Sequence, residues 1–280
     1  MNKVDRQKIL FKQKEIISEK KVVITVPHDL REIQKNWDEL GKLDPLYAIK
    51  VGLQKEGGEW ESKEGGKWDL LEFFQTGIDE TASLLKDIDT LNLKLSHNRA
   101  LDFGCGIGRV TQALAEHFAM VDGVDIAPSM IELANAYNKY EDRVRYYINN
   151  KNSLEIFNDN TYDFIYSVEV FQHMHPRYQE NYLRELLRIL SPEGVLVFEL
   201  PSEYVDLKQK IFFNFTFQDI KFIHSLYWKN ILKKPLFARM QYYCNPRTNV
   251  ESFLLHNGAK HIYTVRNSRK IISYNYFITK

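Results

Sequence analysis

The stretch ALDFGCGIGRV, residues 100–110, decides how the rest of the chain is read. Glycines stand at positions 104, 106 and 108, between an apolar run and a helix-forming one. Glycine has the highest backbone entropy cost of any residue, so this spacing implies a chain that turns sharply or approaches something closely. A strand feeding such a turn and then a helix aims backbone N–H groups and the positive helix end at a ligand. The dinucleotide pattern G-x-G-x-x-G would need glycine at position 109, which is Arg109, and Asp102 at the strand end would repel a pyrophosphate. No Gly-Lys-Ser/Thr follows, which excludes a phosphate-cradling loop of the P-loop kind. A carboxylate beside closely approaching backbone suits a ligand with a cationic ammonium group and no phosphate.

Outward from this loop the chain alternates. Short apolar runs at Arg99–Phe103, Met120–Asp125, Val144–Ile148, Tyr162–Val168 and Val195–Leu200 predict strands. Helical spacing fills Arg109–Phe118, Pro128–Lys139 and Tyr178–Leu190, the last stopping at SPEG. Such alternation with short connections implies a parallel sheet in right-handed crossovers. Ala259–Val265 and Ile271–Thr279, split by RNSRK, read as a hairpin. The N-terminal part differs: an amphipathic helix within 1–21, a β-branched run Val22–Val26 ended by Pro27, and a helix over 29–40 capped by Asp29 and stopped by Gly41. A glycine-rich loop with two tryptophans (54–69) is the hinge candidate, and helical spacing returns over 69–94. The predicted fold class is α/β: a doubly wound, seven-stranded Rossmann-like sheet, mostly parallel with an antiparallel C-terminal hairpin. Residues 1–95 would form a helical cap, and residues 96–280 the cofactor-binding domain with a lid inserted at about 201–240.

Composition narrows the function classes. The 280 residues are 44% hydrophobic, enough for one large core. Lys plus Arg number 38 against 37 Asp plus Glu, so no global field draws nucleic acid. Two cysteines, Cys105 and Cys244, exclude a disulfide scaffold and a four-cysteine zinc site. The N-terminus lacks the apolar core of a secretory signal, and no window reaches the roughly 18 apolar residues of a membrane span. These features predict a soluble, cytoplasmic protein.

LDFGCGIG resembles the first motif, D/E-x-G-x-G-x-G, of the class I S-adenosylmethionine-dependent methyltransferases. Asp125, in DGVDIAPSMIELA, sits where that family places the acid that bonds both ribose hydroxyls, and its spacing of 23 from Asp102 suits such folds. YDFIYSVEVFQHM (162–174) is similar to the family's fourth strand and following loop. LLRILSPEGVLVFE (186–199) is similar to its R-x-L-x-P-G-G-x-L segment, with Glu193 where glycine is usual. The resemblance spans roughly residues 98–200 and implies S-adenosylmethionine as cofactor, with S-adenosylhomocysteine as product. It implies contacts from Asp102, Gly104, Cys105, Gly106, Asp125, Ile126, Met130, Val168, Glu169 and His173. After the third strand the family often has an adenine-binding Asp; here YINNKNSLEIF puts Asn150, Lys151 or Asn152 in its place.

His173 is the catalytic candidate, a general base near neutral pKa for a hydroxyl or amine acceptor; the plainer alternative is that it orients its loop. Cys105 reads as a small residue that fits the loop rather than a nucleophile, and Arg109 as a surface residue or the partner of an acid. His173 and His175 are joined by no converging carboxylate motif, so no metal is expected. The 201–240 stretch holds nine aromatics and a net charge of +4, which suits a helical lid whose aromatics mostly pack onto the domain, some of them roofing a pocket for a bulky, anionic or lipid-linked small-molecule acceptor. O-methylation is the first expectation and N-methylation the next. A nucleic-acid or protein methyltransferase and a non-catalytic cofactor-binding adaptor are the alternatives. No nucleic-acid partner is expected, and oligomeric state is left open.

Overall fold

The computed structural model describes residues 30–50, 52–54, 60–62, 68–204, 242–268 and 271–280. The expectations for residues 1–21 and 22–26, for Asp29 and for most of 201–240 fall outside these residues. In chain order the elements begin with helices α1 (Leu30–Leu43) and α2 (Pro45–Ile49) and a short antiparallel pair, β1 (Gly52–Gln54) and β2 (Trp60–Ser62). Then come α3 (Leu70–Thr90), β3 (Arg99–Phe103), α4 (Arg109–Leu114), β4 (Met120–Asp125), α5 (Pro128–Ala136), β5 (Val144–Ile148) and β6 (Tyr162–Ser167). The chain closes with α6 (Pro176–Ile189), β7 (Leu190–Tyr204), α7 (Arg247–His256), β8 (His261–Ser268) and β9 (Ile271–Thr279).

The main sheet has seven strands in the order β5-β4-β3-β6-β7-β9-β8. Strands β3 to β7 pair in parallel, and β9 inserts antiparallel between β7 and β8. This is the doubly wound sheet with an antiparallel C-terminal hairpin that the alternation of elements predicts. The parallel strands read as near-continuous apolar runs because both faces are covered. One face packs Leu101, Phe103, Ile165, Leu196 and Phe198 against α6 and α7 residues such as Leu183, Leu186 and Leu254. The other packs Ala100, Val121, Phe164, Val195 and Val197 against Leu84 and Ile88 of α3 and Val110 and Leu114 of α4. The strand order reverses between β3 and β6, so a crevice opens at the carboxyl ends of the strands there.

Several boundaries differ from the sequence expectation, each for a local reason. Helix α1 runs through Gly41, which does not stop it: a side chain at 41 would collide with Ser129 Oγ, so glycine lets α1 lie close on α5. Residues 52–54 and 60–62 pair as strands, which draws Gln54 and residues 60–62 of the expected 54–69 loop into a short antiparallel pair. Helix α4 ends at Leu114 rather than Phe118, because His117 N and Phe118 N both turn back to Leu114 O at 2.9 Å. Helix α5 ends at Ala136 rather than Lys139, where the Asn138 side chain accepts from Tyr140 N and donates to Val144 O. Helix α6 starts two residues early, since Pro176 fits the first turn and His175 Nδ1 accepts from Arg177 N. Strand β7 begins at Leu190, and SPEG is absorbed as a bulge: Tyr162 opposes Leu190 but Phe164 opposes Val195.

Candidate active site

The crevice is a cavity of about 320 Å³ lined by residues from α1, α2, α3 and the carboxyl ends of β3, β4, β5 and β6. Its floor is the glycine turn. Gly104 has φ +81°, and any side chain there would strike Val170; Gly106 has φ +53°, and a Cβ would sit 2.7 Å from Ile49 Cδ1. Only glycine meets both demands, so the backbone itself forms the wall.

Two carboxylates flank this turn. Asp102 ends β3, buried, with Thr111 Oγ1 donating to its Oδ2 at 2.6 Å. Burial raises its pKa to about 7 despite that bond and the nearby Arg109, with Glu80 and Asp125 pushing it in the same direction as burial. Asp125 ends β4 and accepts from Gly106 N and Ala127 N, both at 2.9 Å. Burial raises its pKa too, against those two backbone bonds. Cys105 lies between them, its thiol pushed well up by burial and by the two acids, so it stays protonated and is no nucleophile.

Of the sequence-predicted residues, Asp102, Gly104, Cys105, Gly106, Asp125, Ile126, Met130, Val168, Glu169 and His173 all line this one cavity. Asn150, Lys151 and Asn152 do not: all three are exposed, and Lys151 pairs outward with Glu155 at 3.4 Å. The residue that faces the cavity after β5 is Asn149, which is buried. Its Nδ2 donates to Lys151 O and Ser153 O, which turns the following residues outward and fixes the amide plane. Asn149 N donates to Asp125 O at 2.9 Å, the last rung of the β4–β5 ladder, a pairing between strands that leaves no mark in the sequence.

Arg109 is not on the surface. It is buried and its Nη2 lies 3.0 Å from Glu80 Oε2, the acid-paired half of the sequence expectation. Both residues line the cavity with Tyr166, whose hydroxyl donates to Glu80 Oε1 at 2.9 Å. Burial raises the pKa of Glu80, but Arg109 and Lys50 outweigh it and hold the carboxyl below its ordinary value. Sequence reasoning missed Glu80 because it comes from α3, outside the glycine-loop segment.

The far end of the cavity is aromatic. His173 closes a tight turn after β6, buried, with its ring edge-on to Trp37 of α1 at 5.1 Å between centroids and to Tyr242 at 6.1 Å. Glu169, at the start of this loop, has φ +61°. Helix α1 spans both ends: Gln34 Nε2 donates to Ile126 O, Asp38 accepts from Ser129 N, and Trp37 meets His173. Among the described residues no group of three His, Cys, Asp or Glu side chains is placed to hold a metal ion.

The strand order, the glycine turn and the acid ending β4 define a class I methyltransferase fold with its site at the switch point. Residues 101–198 match the family model described as a methyltransferase domain, and this segment of the chain is similar to that domain. A malonyl-[acyl-carrier protein] O-methyltransferase of Bacillus anthracis is 34% identical over 118 residues, 41% of this chain and 42% of that one. A phosphoethanolamine N-methyltransferase of Plasmodium falciparum is 24% identical over 211 residues, 70% of this chain and 75% of that one. The chain thus spans well under half the length of the first of these relatives. The structure of the Synechocystis magnesium protoporphyrin IX methyltransferase with bound S-adenosylhomocysteine aligns over 90% of this chain and all of that one, at TM-score 0.56 and 16% identity. That likeness concerns the fold. The residues fit the cofactor: two glycines whose Cβ positions are taken, a buried carboxylate on either side of their turn, and a buried arginine at the wall.

Proposed function

We propose that this protein transfers a methyl group from S-adenosylmethionine to an oxygen of a small-molecule acceptor. One observation carries the reading: the cofactor-side acids and the aromatic His173 end share a single chamber under α1. When bound, the cofactor supplies an electrophilic methyl on a positively charged sulfur. The chain's part is to bind, align and exclude water. Asp125 takes the ribose hydroxyls, Asn149 stands at the adenine edge, and Asp102 faces the ammonium. Trp37 and Tyr242 hold the His173 ring, which removes the acceptor proton at a ring nitrogen. The basic, aromatic stretch 201–240 supports a bulky or anionic acceptor, with residues 1–95 as the cap of a domain over 96–280. No described helix is long and apolar enough to cross a membrane, and we read the protein as cytoplasmic.

A second reading is N-methylation, favoured by the phosphoethanolamine relative, which aligns over most of both chains. Calorimetry with S-adenosylmethionine and S-adenosylhomocysteine tests the first step. Both should bind, and Asp125→Ala should weaken them at least about ten-fold, the loss expected for a buried charged hydrogen-bond partner. His173→Asn should leave S-adenosylhomocysteine affinity unchanged while slowing turnover of hydroxyl acceptors. Absence of binding to either cofactor form would refute the proposal.

A further inference from the structure

Within EFFQTGIDE (72–80), Phe73, Thr76, Gly77 and Glu80 share one face of α3 at helical spacing, and the fold gives that face a task beyond packing. Phe73 is fully buried and Thr76 nearly so. A side chain at Gly77 would collide with the backbone carbonyl of Arg109, so α3 touches the first turn of α4 directly there. Arg109 Nη1 donates to Thr76 Oγ1 at 3.3 Å, and its Nη2 donates to Glu80 Oε1 at 3.1 Å. Thr76 is fixed in turn by donating to Phe73 O at 2.7 Å. Glu80 is fixed by Tyr166 from β6, at 2.9 Å, and by Lys50 after α2, at 3.4 Å. Three elements therefore hold one guanidinium at the wall of the cavity.

One donor of that guanidinium is left over. Arg109 Nε is buried and bonds to nothing. A buried N–H without a partner costs as much as a lost hydrogen bond, and more when the group is charged. Arg109 and Glu80 line the same cavity as Asp102 and Gly104, so the Arg109 guanidinium stands at the wall beside the glycine turn.

We propose that Glu80 is a positioning residue of the cofactor site. Together with Thr76 it holds the Arg109 guanidinium at the cavity wall, where it meets the carboxylate of the cofactor's amino-acid end. The inference rests on the reading that S-adenosylmethionine binds here, and it adds a residue from outside the segment matched to the methyltransferase domain. Glu80 itself touches no reacting atom. It acts through Arg109, and its charge leaves the pair neutral, so that the carboxylate is selected by hydrogen-bond geometry rather than by bulk positive charge.

The test compares two ligands that differ only at that end: S-adenosylhomocysteine and 5′-methylthioadenosine, which lacks the amino-acid group. Glu80→Gln keeps the volume and the acceptor for Tyr166 but weakens the hold on Arg109. By calorimetry, S-adenosylhomocysteine affinity should fall roughly ten-fold or more, and 5′-methylthioadenosine affinity should stay within about two-fold. Equal losses for both ligands would mean that the socket only supports the fold, and no loss for either would mean that Glu80 does not position Arg109; each overturns the proposal. If Glu80→Gln does not fold, Thr76→Val removes the other anchor without changing charge and is read by the same ratio. Failure of the wild-type protein to bind either ligand would instead overturn the cofactor reading, and this inference with it.

Discussion

Replacing Asp102 by asparagine should stabilise the ligand-free protein at alkaline pH, although Asp102 is the acid we propose to face the cofactor's ammonium. The carboxyl is buried at the end of β3, and burial raises its pKa to about 7 from an ordinary 3.8, against the Thr111 hydrogen bond and Arg109. Between those two values the native protein retains a proton that the unfolded chain has already released. Stability must therefore fall as pH rises through this window, and the loss is complete once the native carboxyl has ionised. A span of about three pH units at roughly 1.4 kcal/mol each sets the ceiling near ~4 kcal/mol. Asparagine keeps the shape, accepts the Thr111 hydrogen through Oδ1 and never ionises. Chemical denaturation of both proteins without ligand, from about pH 5 to about pH 8, should show the smaller gap at the acid end, because only part of the window above 3.8 has been crossed there. At the alkaline end Asp102→Asn should be the more stable by roughly 1–4 kcal/mol. Saturating S-adenosylhomocysteine should narrow or invert that gap, since its ammonium gives the ionised carboxylate a partner. Parallel pH profiles for the two proteins would show that Asp102 is already ionised in the fold, and the argument for a desolvated carboxylate awaiting a cation would be wrong.

Two further outcomes follow from the contacts of α1 and β5. Gly41→Ala drives a methyl group into Ser129 Oγ, whose bond to Asp38 O at 2.8 Å, with that of Ser129 N to Asp38 Oδ1, fastens α1 to α5; thermal unfolding should show a loss of about 1–2 kcal/mol, and S-adenosylhomocysteine should bind more weakly. Asn149→Ala should weaken S-adenosylhomocysteine several-fold by calorimetry, whereas Asn150→Ala should not; the reverse order would put the adenine edge back on the exposed residues.

The parts of the fold that were legible are those whose cause is local. Strand, glycine turn and helix follow one another within about a dozen residues, and Met120–Asp125 and Val144–Ile148 were bounded correctly because apolar runs of that length between turn residues admit little else. Gly41 misled because glycine at a helix end and glycine at a helix contact look alike in sequence; only the approach of Ser129 tells them apart. The SPEG segment misled likewise, since proline and glycine mark a bulge as readily as a loop. Asn149 escapes a sequence reading that offers Asn150, Lys151 or Asn152, because the end of β5 is fixed by a hydrogen bond to Asp125 O, a pairing between strands that the chain alone does not display.

The site divides along the same line. Asp102, the glycines and Asp125 come from one β-α-β unit, so their spacing carries the geometry and the sequence yields them together. Glu80 and Trp37 reach the cavity from helices well before that unit, and no fixed spacing ties them to it. Yet the sequence carries one trace of the α3 contact. Arg109 breaks the dinucleotide pattern where a third glycine would otherwise allow helix α4 to sit close to its strand. The close approach is made instead at Gly77 on α3, which leaves room at 109 for a long cationic side chain and supplies Thr76 and Glu80 to hold it. The glycine missing from the loop is thus matched by one on the neighbouring helix. That exchange puts Arg109 at the cavity wall, and under the proposed reading a residue that excludes one cofactor on pattern alone serves the site of another.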